Sequence, residues 1–191
     1  MCNLASISLP QFVENGKVNY TKLQEVVGHT VKSLDRVIDK TYYPVPEARV
    51  SNMRHRPIGI GVNGFHDLLF KLKLPWESAK AQETNKLVFE TMYFAAMKAS
   101  VALAKELGSY SSFRGSPLSQ GKFQFDLWNV APTNRYDWDA LREEIQRHGA
   151  RHSVMIALMP TASSAQIVGN CEGTDALTSN LYVRRVSSGE F

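Results

Sequence analysis

The stretch "RPIGIGVNGFHDLL", residues 56–69, carries glycines at 59, 61 and 64, the G-x-G-x-x-G spacing of a dinucleotide-binding turn. That fingerprint needs a buried strand before the first glycine and a helix after the last. It also needs an acidic residue closing a second strand about 20 residues on. Here the preceding residues are "SNMRHRP", which do not form a buried strand. Downstream, "WESAKAQE" opens a helix, so Glu77 and Glu83 are acidic without a second strand before them. A steric reading fits better. Gly59, Gly61 and Gly64 clear one side for a neighbouring backbone, while Ile58, Ile60 and Val62 pack on the other. A helix follows, with Phe65, Leu68, Leu69 and Leu72 inward, ending near Pro75.

Upstream, residues 20–41 form an amphipathic helix, because Leu23, Val26, Val27, Val31, Leu34, Val37 and Ile38 recur at three- and four-residue steps. "TYYPVPEA" ends it, since Pro44 and Pro46 cannot continue a helix. Downstream, a longer helix spans 78–107, with Ser78 as N-cap and Gly108 just past its end. Its middle is apolar on more than one side, which predicts burial between neighbours. Residues 109–136 read as a long ordered excursion anchored by Phe123, Phe125, Leu127 and Trp128. A short helix over 137–148 follows, capped by Asp137 and closed at Gly149. "SVMIALMP", residues 153–160, then reads as a buried strand, and a helix begins within "TASSAQIVGN". Helix dominates, with a few buried strands, which suits part of an α/β architecture.

The chain has 191 residues, 43% hydrophobic and 21% charged, which describes one soluble globular domain. A net charge of +4 without a like-charge block implies no nucleic-acid surface. The densest basic cluster, Arg54, His55 and Arg56, reads as a solvated loop. Cys2 and Cys171 are the two cysteines, and no Cys/His spacing suits a metal. No N-terminal segment resembles a signal peptide, and no run of about 18 apolar residues spans a bilayer. These features fit a reduced, cytoplasmic setting. The chain opens in strand-like "MCNLASISLP" and stops at "VRRVSSGEF" without a polar linker, the expectation for a piece of a longer protein.

"MPTASSAQ", residues 159–166, is where an anion could bind. A strand ends at Met159, Pro160 stops the ladder, and Thr161, Ser163 and Ser164 follow, separated by alanine. Free N–H groups and the dipole at a helix start favour an anion, and small side chains let a phosphate approach. Plain capping by Ser or Thr explains the same residues. No lysine lies near enough to make a P-loop. Cys2 reads as a buried structural thiol unless a partner thiol exists. Cys171 is the one candidate in the chain, and the sequence gives no geometry for the pair.

Five stretches in order carry a family resemblance: "CNLASISL", "YYPVPEA", "HRPIGIGVNGFHDLL", "MPTASSAQIVGN" and "TSNLYVRRVSSGEF". They resemble the large, catalytic subunit of class I ribonucleotide reductase, along essentially all of the chain. The resemblance implies the later portion of a ten-stranded α/β barrel that encloses a finger loop. It implies reduction of ribonucleoside diphosphates to 2′-deoxyribonucleoside diphosphates by a thiyl radical. In that family the radical takes the 3′ hydrogen, water leaves from C2′, and a cysteine pair supplies the reducing equivalents.

By that resemblance Cys2 matches the second cysteine of the redox pair. Thr161, Ala162, Ser163 and Ser164 match the loop that holds the substrate diphosphate. The family's first redox cysteine and radical-bearing cysteine precede Met1, and its radical-relay tyrosines and C-terminal thiols follow Phe191. No cofactor or metal is implied in this chain itself. The radical comes from the metal centre of a separate small subunit, and thioredoxin or glutaredoxin is the reductant. ATP and dNTP effectors bind an N-terminal part outside the chain, and the large subunit forms a homodimer or higher oligomer. Neither nucleic acid nor membrane is an expected partner.

The chain departs from the eukaryotic class I pattern in "CEGTDALTSN", where Cys171 replaces an asparagine and Ala176-Leu177 replace Pro-Tyr. That departure motivates an alternative, a non-catalytic nucleotide-binding or interaction module of the same family. A ligand-free helical scaffold is allowed by composition and leaves the five motifs unexplained.

Overall fold

The computed structural model describes residues 1–179 together with 181, 183, 185–187 and 189–190. The last family-like stretch, residues 178–191, therefore lies partly outside the described residues, at Asn180, Tyr182, Arg184, Ser188 and Phe191. The chain begins with β1 (Leu4–Ser8), then a hairpin of β2 (Val13–Glu14) and β3 (Lys17–Val18). Asn15 and Gly16 form the hairpin's two-residue turn with φ of 51° and 72°, the left-handed pair that an Asn-Gly turn supplies.

Helix α1 (Tyr20–Lys40) starts where Asn19 Oδ1 accepts from Lys22 N at 2.9 Å. Its stripe of Leu23, Val27, Val31, Leu34 and Ile38 is buried along α4 (Ala79–Leu107). Val37, expected on that stripe, is exposed, because Asp35 takes the inward place beside Leu34. Between these helices come α2 (Pro46–His55), β4 (Gly59–Asn63) and α3 (Phe65–Leu72). Pro46 does not only close α1. It occupies the first turn of α2, where the missing N–H costs nothing.

Ser78 Oγ accepts from Ala81 N at 3.2 Å to start α4, and Gly108 closes it at φ 81°. By length and mean hydropathy α4 could cross a membrane, although Glu90 and Lys98 interrupt its apolar run. Here Val88, Met92, Ala96 and Val101 lie in the core, and α4 packs on α1 and on α6 (Trp138–His148).

Between α4 and α6 runs the aromatic excursion, with one short helix, α5 (Gln124–Leu127). Glu90 of α4 ties it down by accepting from Thr133 Oγ1 at 2.7 Å and Trp138 Nε1 at 3.2 Å. Phe123 is buried against Tyr93 and Trp138. Leu127 and Trp128, expected as anchors, are exposed: they border an open cavity and not the packed core. The chain ends in α7 (Ala162–Ile167) and the two-residue strands β5 (Arg185–Val186) and β6 (Gly189–Glu190).

β1 and β4 pair in parallel, from Leu4 opposite Gly59 to Ser8 opposite Asn63. The expected strand over 153–160 joins them through one parallel bridge, Ile156 to Ile60. It is less regular and less buried than the sequence suggests, with Val154 and Leu158 exposed, because it is bonded along one edge only among the described residues. The structure is thus a helix-rich α/β arrangement with an open sheet.

The glycines behave as steric necessity requires. A Cβ on Gly61 would lie 2.5 Å from Met159 Sδ and 2.8 Å from the Ala157 carbonyl oxygen. Gly61→Ala is expected to cost about 1–3 kcal/mol by overpacking. Gly28→Ala, in the middle of α1 with nothing within 4 Å, is expected to stabilise by about 0.5–1 kcal/mol. Urea midpoints of the two variants should move in opposite directions.

Arg56, expected in a solvated loop, is instead buried at the left-handed C-cap of α2, with φ 43°. Its Nη2 donates to Asp35 Oδ1 at 2.7 Å and its Nη1 to Asp39 Oδ1 at 2.8 Å, which holds an unfavourable backbone conformation in place. Arg151 and His152 reach the same Asp35 oxygen from the loop before the third strand. One carboxylate of α1 thereby fixes the entry into β4 and the entry into its neighbour.

Candidate functional site

Two faces of the small sheet differ. Ile58, Ile60 and Val62 are buried under the helices. The opposite face carries Leu4, Ser6 and Ser8 of β1, and Cys2 continues that row by the period-two alternation of an extended chain. Gly59 and Gly61 lie on this face against Leu4, Ala157 and Met159. β4 itself carries no side chain at these two positions, and those neighbours fill the space instead.

At the carboxyl ends of the strands, Asn170 Nδ2 donates to Ser8 Oγ at 2.6 Å and to Asn63 Oδ1 at 2.7 Å. No local sequence pattern marks these asparagines as a pair, since Asn63 and Asn170 lie 107 residues apart. Polar residues closing two apolar strands were the available signal. Just beyond Met159 comes α7, six residues long with Thr161 at its cap position. Thr161 is buried, and its Oγ1 accepts from Gly173 N at 2.8 Å, leaving the hydroxyl proton for another acceptor. Ser164 Oγ donates to the Thr161 carbonyl at 2.7 Å. Ser163 is exposed and Ala162 half-buried. Of the three hydroxyls expected to face an anion, one is thus committed to its own backbone.

Cys2 is exposed, at the amino end of β1. It is not the buried thiol that its small and apolar neighbours suggested. Residues 161–164 follow the carboxyl end of the adjacent strand. Six residues of extended chain separate Cys2 from Ser8, about 20 Å. The two expected sites share a sheet but do not touch.

The start of α3 closes the dinucleotide question. Gly64 N donates to Cys171 O at 2.8 Å and Phe65 N to Gly173 O at 3.4 Å, so this helix N-terminus is occupied by carbonyls of the chain itself. Pro10 packs where a side chain on Gly64 would stand. Asp67 Oδ2 accepts from Cys171 N at 2.7 Å. Burial, then the hydrogen bond and charge of Asp67, push the Cys171 thiol up to about 12. A raised pKa keeps the Cys171 thiol protonated near neutral pH and disfavours it as a nucleophile or redox partner, since the thiolate is the reactive form. Iodoacetamide near neutral pH is expected to label Cys2 and to spare Cys171 in the folded protein, with both labelled after denaturation. Peptide mass mapping reads the outcome.

Among the described residues no group of His, Cys, Asp and Glu could hold a metal. A cavity of about 610 Å³ opens elsewhere, between α4, the aromatic excursion and the 153–158 strand. Val154, Met155, Ile156 and Leu158 line it, with Leu127 and Trp128 of the excursion. Neither Cys2 nor Ser8 is among its lining residues.

The family model "Ribonucleotide reductase, barrel domain" matches residues 1–191. The large chain of ribonucleoside-diphosphate reductase from Schizosaccharomyces pombe is 53% identical over 191 residues, covering 100% of this chain and 24% of that protein. The large subunit from Plasmodium falciparum is 53% identical over 194 residues, with 100% and 24% covered. Large chain 2 from Saccharomyces cerevisiae is 52% identical over 197 residues, with 100% and 23% covered. The chain thus spans about a quarter of the length of the curated relatives it matches. With every residue inside the family match and about half identical to named relatives, the chain belongs to the ribonucleotide reductase barrel-domain family.

Proposed function

We propose that these residues form part of the catalytic large subunit of a class I ribonucleotide reductase, within a ten-stranded α/β barrel, and reduce ribonucleoside diphosphates for DNA precursor synthesis in the cytoplasm. The reading is carried by the unbroken barrel-domain match across residues 1–191. A separate small subunit with a metal centre supplies the radical, and thioredoxin or glutaredoxin restores the thiols. ATP and dNTP effectors act through other parts of the subunit, which works as a homodimer or higher oligomer.

Within this chain the roles divide along the sheet. Thr161, Ala162, Ser163 and Ser164 hold the diphosphate through the exposed Ser163 hydroxyl, the Thr161 proton and the N–H groups of the first turn of α7. Cys2 gives up its S–H as C2′ is reduced and water leaves, and its sulfur bonds to a second cysteine outside the chain. Its exposure supports this role, since a thiol that must form and release a disulfide has to be reachable. Residues 1–191 alone are expected to form no deoxyribonucleotide, because the second thiol and the radical-bearing cysteine lie outside them.

The diphosphate assignment is tested by Ser163→Asp in a large subunit of full family length carrying these residues. A carboxylate placed against the diphosphate is expected to weaken cytidine diphosphate binding at least about tenfold, equivalent to 1.4 kcal/mol. Cytidine binding should change little. Equal affinity for cytidine diphosphate in variant and wild type would refute the assignment.

A further inference from the structure

The loop over residues 170–177 runs from α7 back across the first turn of α3, where consecutive side chains grip its two ends. Asp67 Oδ2 accepts from Cys171 N at 2.7 Å, and His66 Nδ1 accepts from Leu177 N at 2.8 Å. Between these ends, Gly173 N donates to Thr161 Oγ1 at 2.8 Å. The orientation of the Thr161 hydroxyl therefore depends on a loop that α3 holds.

His66 suits this task. Its ring is buried, stacked on Phe70 at 4.2 Å and edge-on to Trp76 at 4.9 Å. The stacking fixes the ring plane. Accepting at Nδ1 places the ring proton on Nε2 and requires the neutral imidazole. A phenylalanine would fill the same space and leave Leu177 N without its acceptor. Neither Ala176 nor Leu177 has a polar side chain that could hold this end instead.

We propose that His66 is a positioning residue for the Thr161–Ser164 segment, acting through the Leu177 amide and the Gly173 link to the Thr161 hydroxyl. The inference rests on the assignment of residues 161–164 to the substrate diphosphate. It is tested in the full-length large subunit with its small subunit, by steady-state kinetics on cytidine diphosphate. His66→Phe keeps the ring contacts and removes the acceptor. It is expected to raise KM about three- to tenfold, the effect of one hydrogen bond, with kcat within about twofold of wild type. His66→Asn places Oδ1 near the Nδ1 position and is expected to restore KM. Should His66→Phe fail to accumulate as folded protein, Leu177→Pro deletes the donor from the other side of the bond and is expected to raise KM likewise.

A wild-type KM in His66→Phe overturns the inference, as does an equal rise in the Phe and Asn variants, which would make the role one of packing. A wild-type subunit that binds cytidine as tightly as cytidine diphosphate overturns the diphosphate assignment itself, and the inference with it.

Discussion

Cys2→Ser in a full-length subunit is expected to abolish multiple turnover with a dithiol as reductant. Reduction at C2′ consumes two electrons. Two thiols supply them by losing two S–H bonds and forming one S–S bond, which the external dithiol then exchanges open. A serine hydroxyl cannot take part in such an exchange, so the cycle has no second partner. Product should fall below one deoxyribonucleotide per site, while substrate affinity is unchanged. The substitution should not disturb folding, because Cys2 is exposed and serine has the same shape. A surface change of this kind stays within about 0.5 kcal/mol. Full activity in the variant would remove Cys2 from the redox chemistry.

Asp35→Asn is expected to have the largest effect on stability. The Asp35 carboxylate is buried, and its Oδ1 accepts from Arg56 Nε at 3.0 Å, Arg56 Nη2 at 2.7 Å, Arg151 Nε at 3.2 Å and His152 Nε2 at 3.1 Å. Ser100 fixes the histidine tautomer. Its Oγ accepts from Arg151 N at 3.0 Å and His152 N at 3.1 Å, so its own proton goes to His152 Nδ1. The imidazole proton then sits on Nε2, facing Asp35. Removing the carboxylate charge strips buried Arg56 of one of its two anions and Arg151 of the one it meets among the described residues. Breaking such a buried pair costs about 3–5 kcal/mol. Chemical denaturation of the wild type and variant measures it, and a loss under about 1 kcal/mol would show that the cluster is relaxed by water.

The same cluster sets a pH dependence. Burial opposes charge on Asp35, but the hydrogen bonds from His152 and Arg56 outweigh it and hold the carboxyl well below the usual range. Its stabilisation is present above the unfolded value of about 3.9 and is lost as pH falls through the folded value. Burial lowers the His152 pKa, with Asp35 opposing and the two arginines assisting. The unfolded chain therefore takes up a proton on this histidine first, near its ordinary value of about 6.5. Stability should decline gently below about pH 6.5 and steeply below about pH 4. A urea midpoint unchanged between neutral and weakly acidic pH would contradict the buried neutral His152.

Much of the helical framework is legible in the sequence. The stripes of α1 and α6, the caps Ser78, Asp137, Gly108 and Gly149, and the glycines of β4 are all local signals. Helix α2 is not legible, because it presents no apolar stripe and buries only Asn52. The Asn15-Gly16 turn was readable but lies between strands of two residues each, too short for a periodic signal. Arg56 looked solvated because its partners are distant in sequence: Asp35 is 21 residues away and Arg151 reaches Asp35 across 116. Leu127 and Trp128 look like anchors on side-chain type alone, and type does not separate a core position from the wall of an open cavity. At the site, the Ser and Thr cluster was visible. What holds it was not, since Asp67 and His66 act on a loop 104 and 111 residues downstream.

Whether these residues serve in the reduction of ribonucleoside diphosphates is decided by turnover. The most direct measurement is product formation by a full-length large subunit carrying them, with its small subunit, cytidine diphosphate and a dithiol reductant. Repeated conversion to 2′-deoxycytidine diphosphate is the expected result. An assembled complex that binds the diphosphate and yields no deoxy product would contradict it and would leave a nucleotide-binding module in its place.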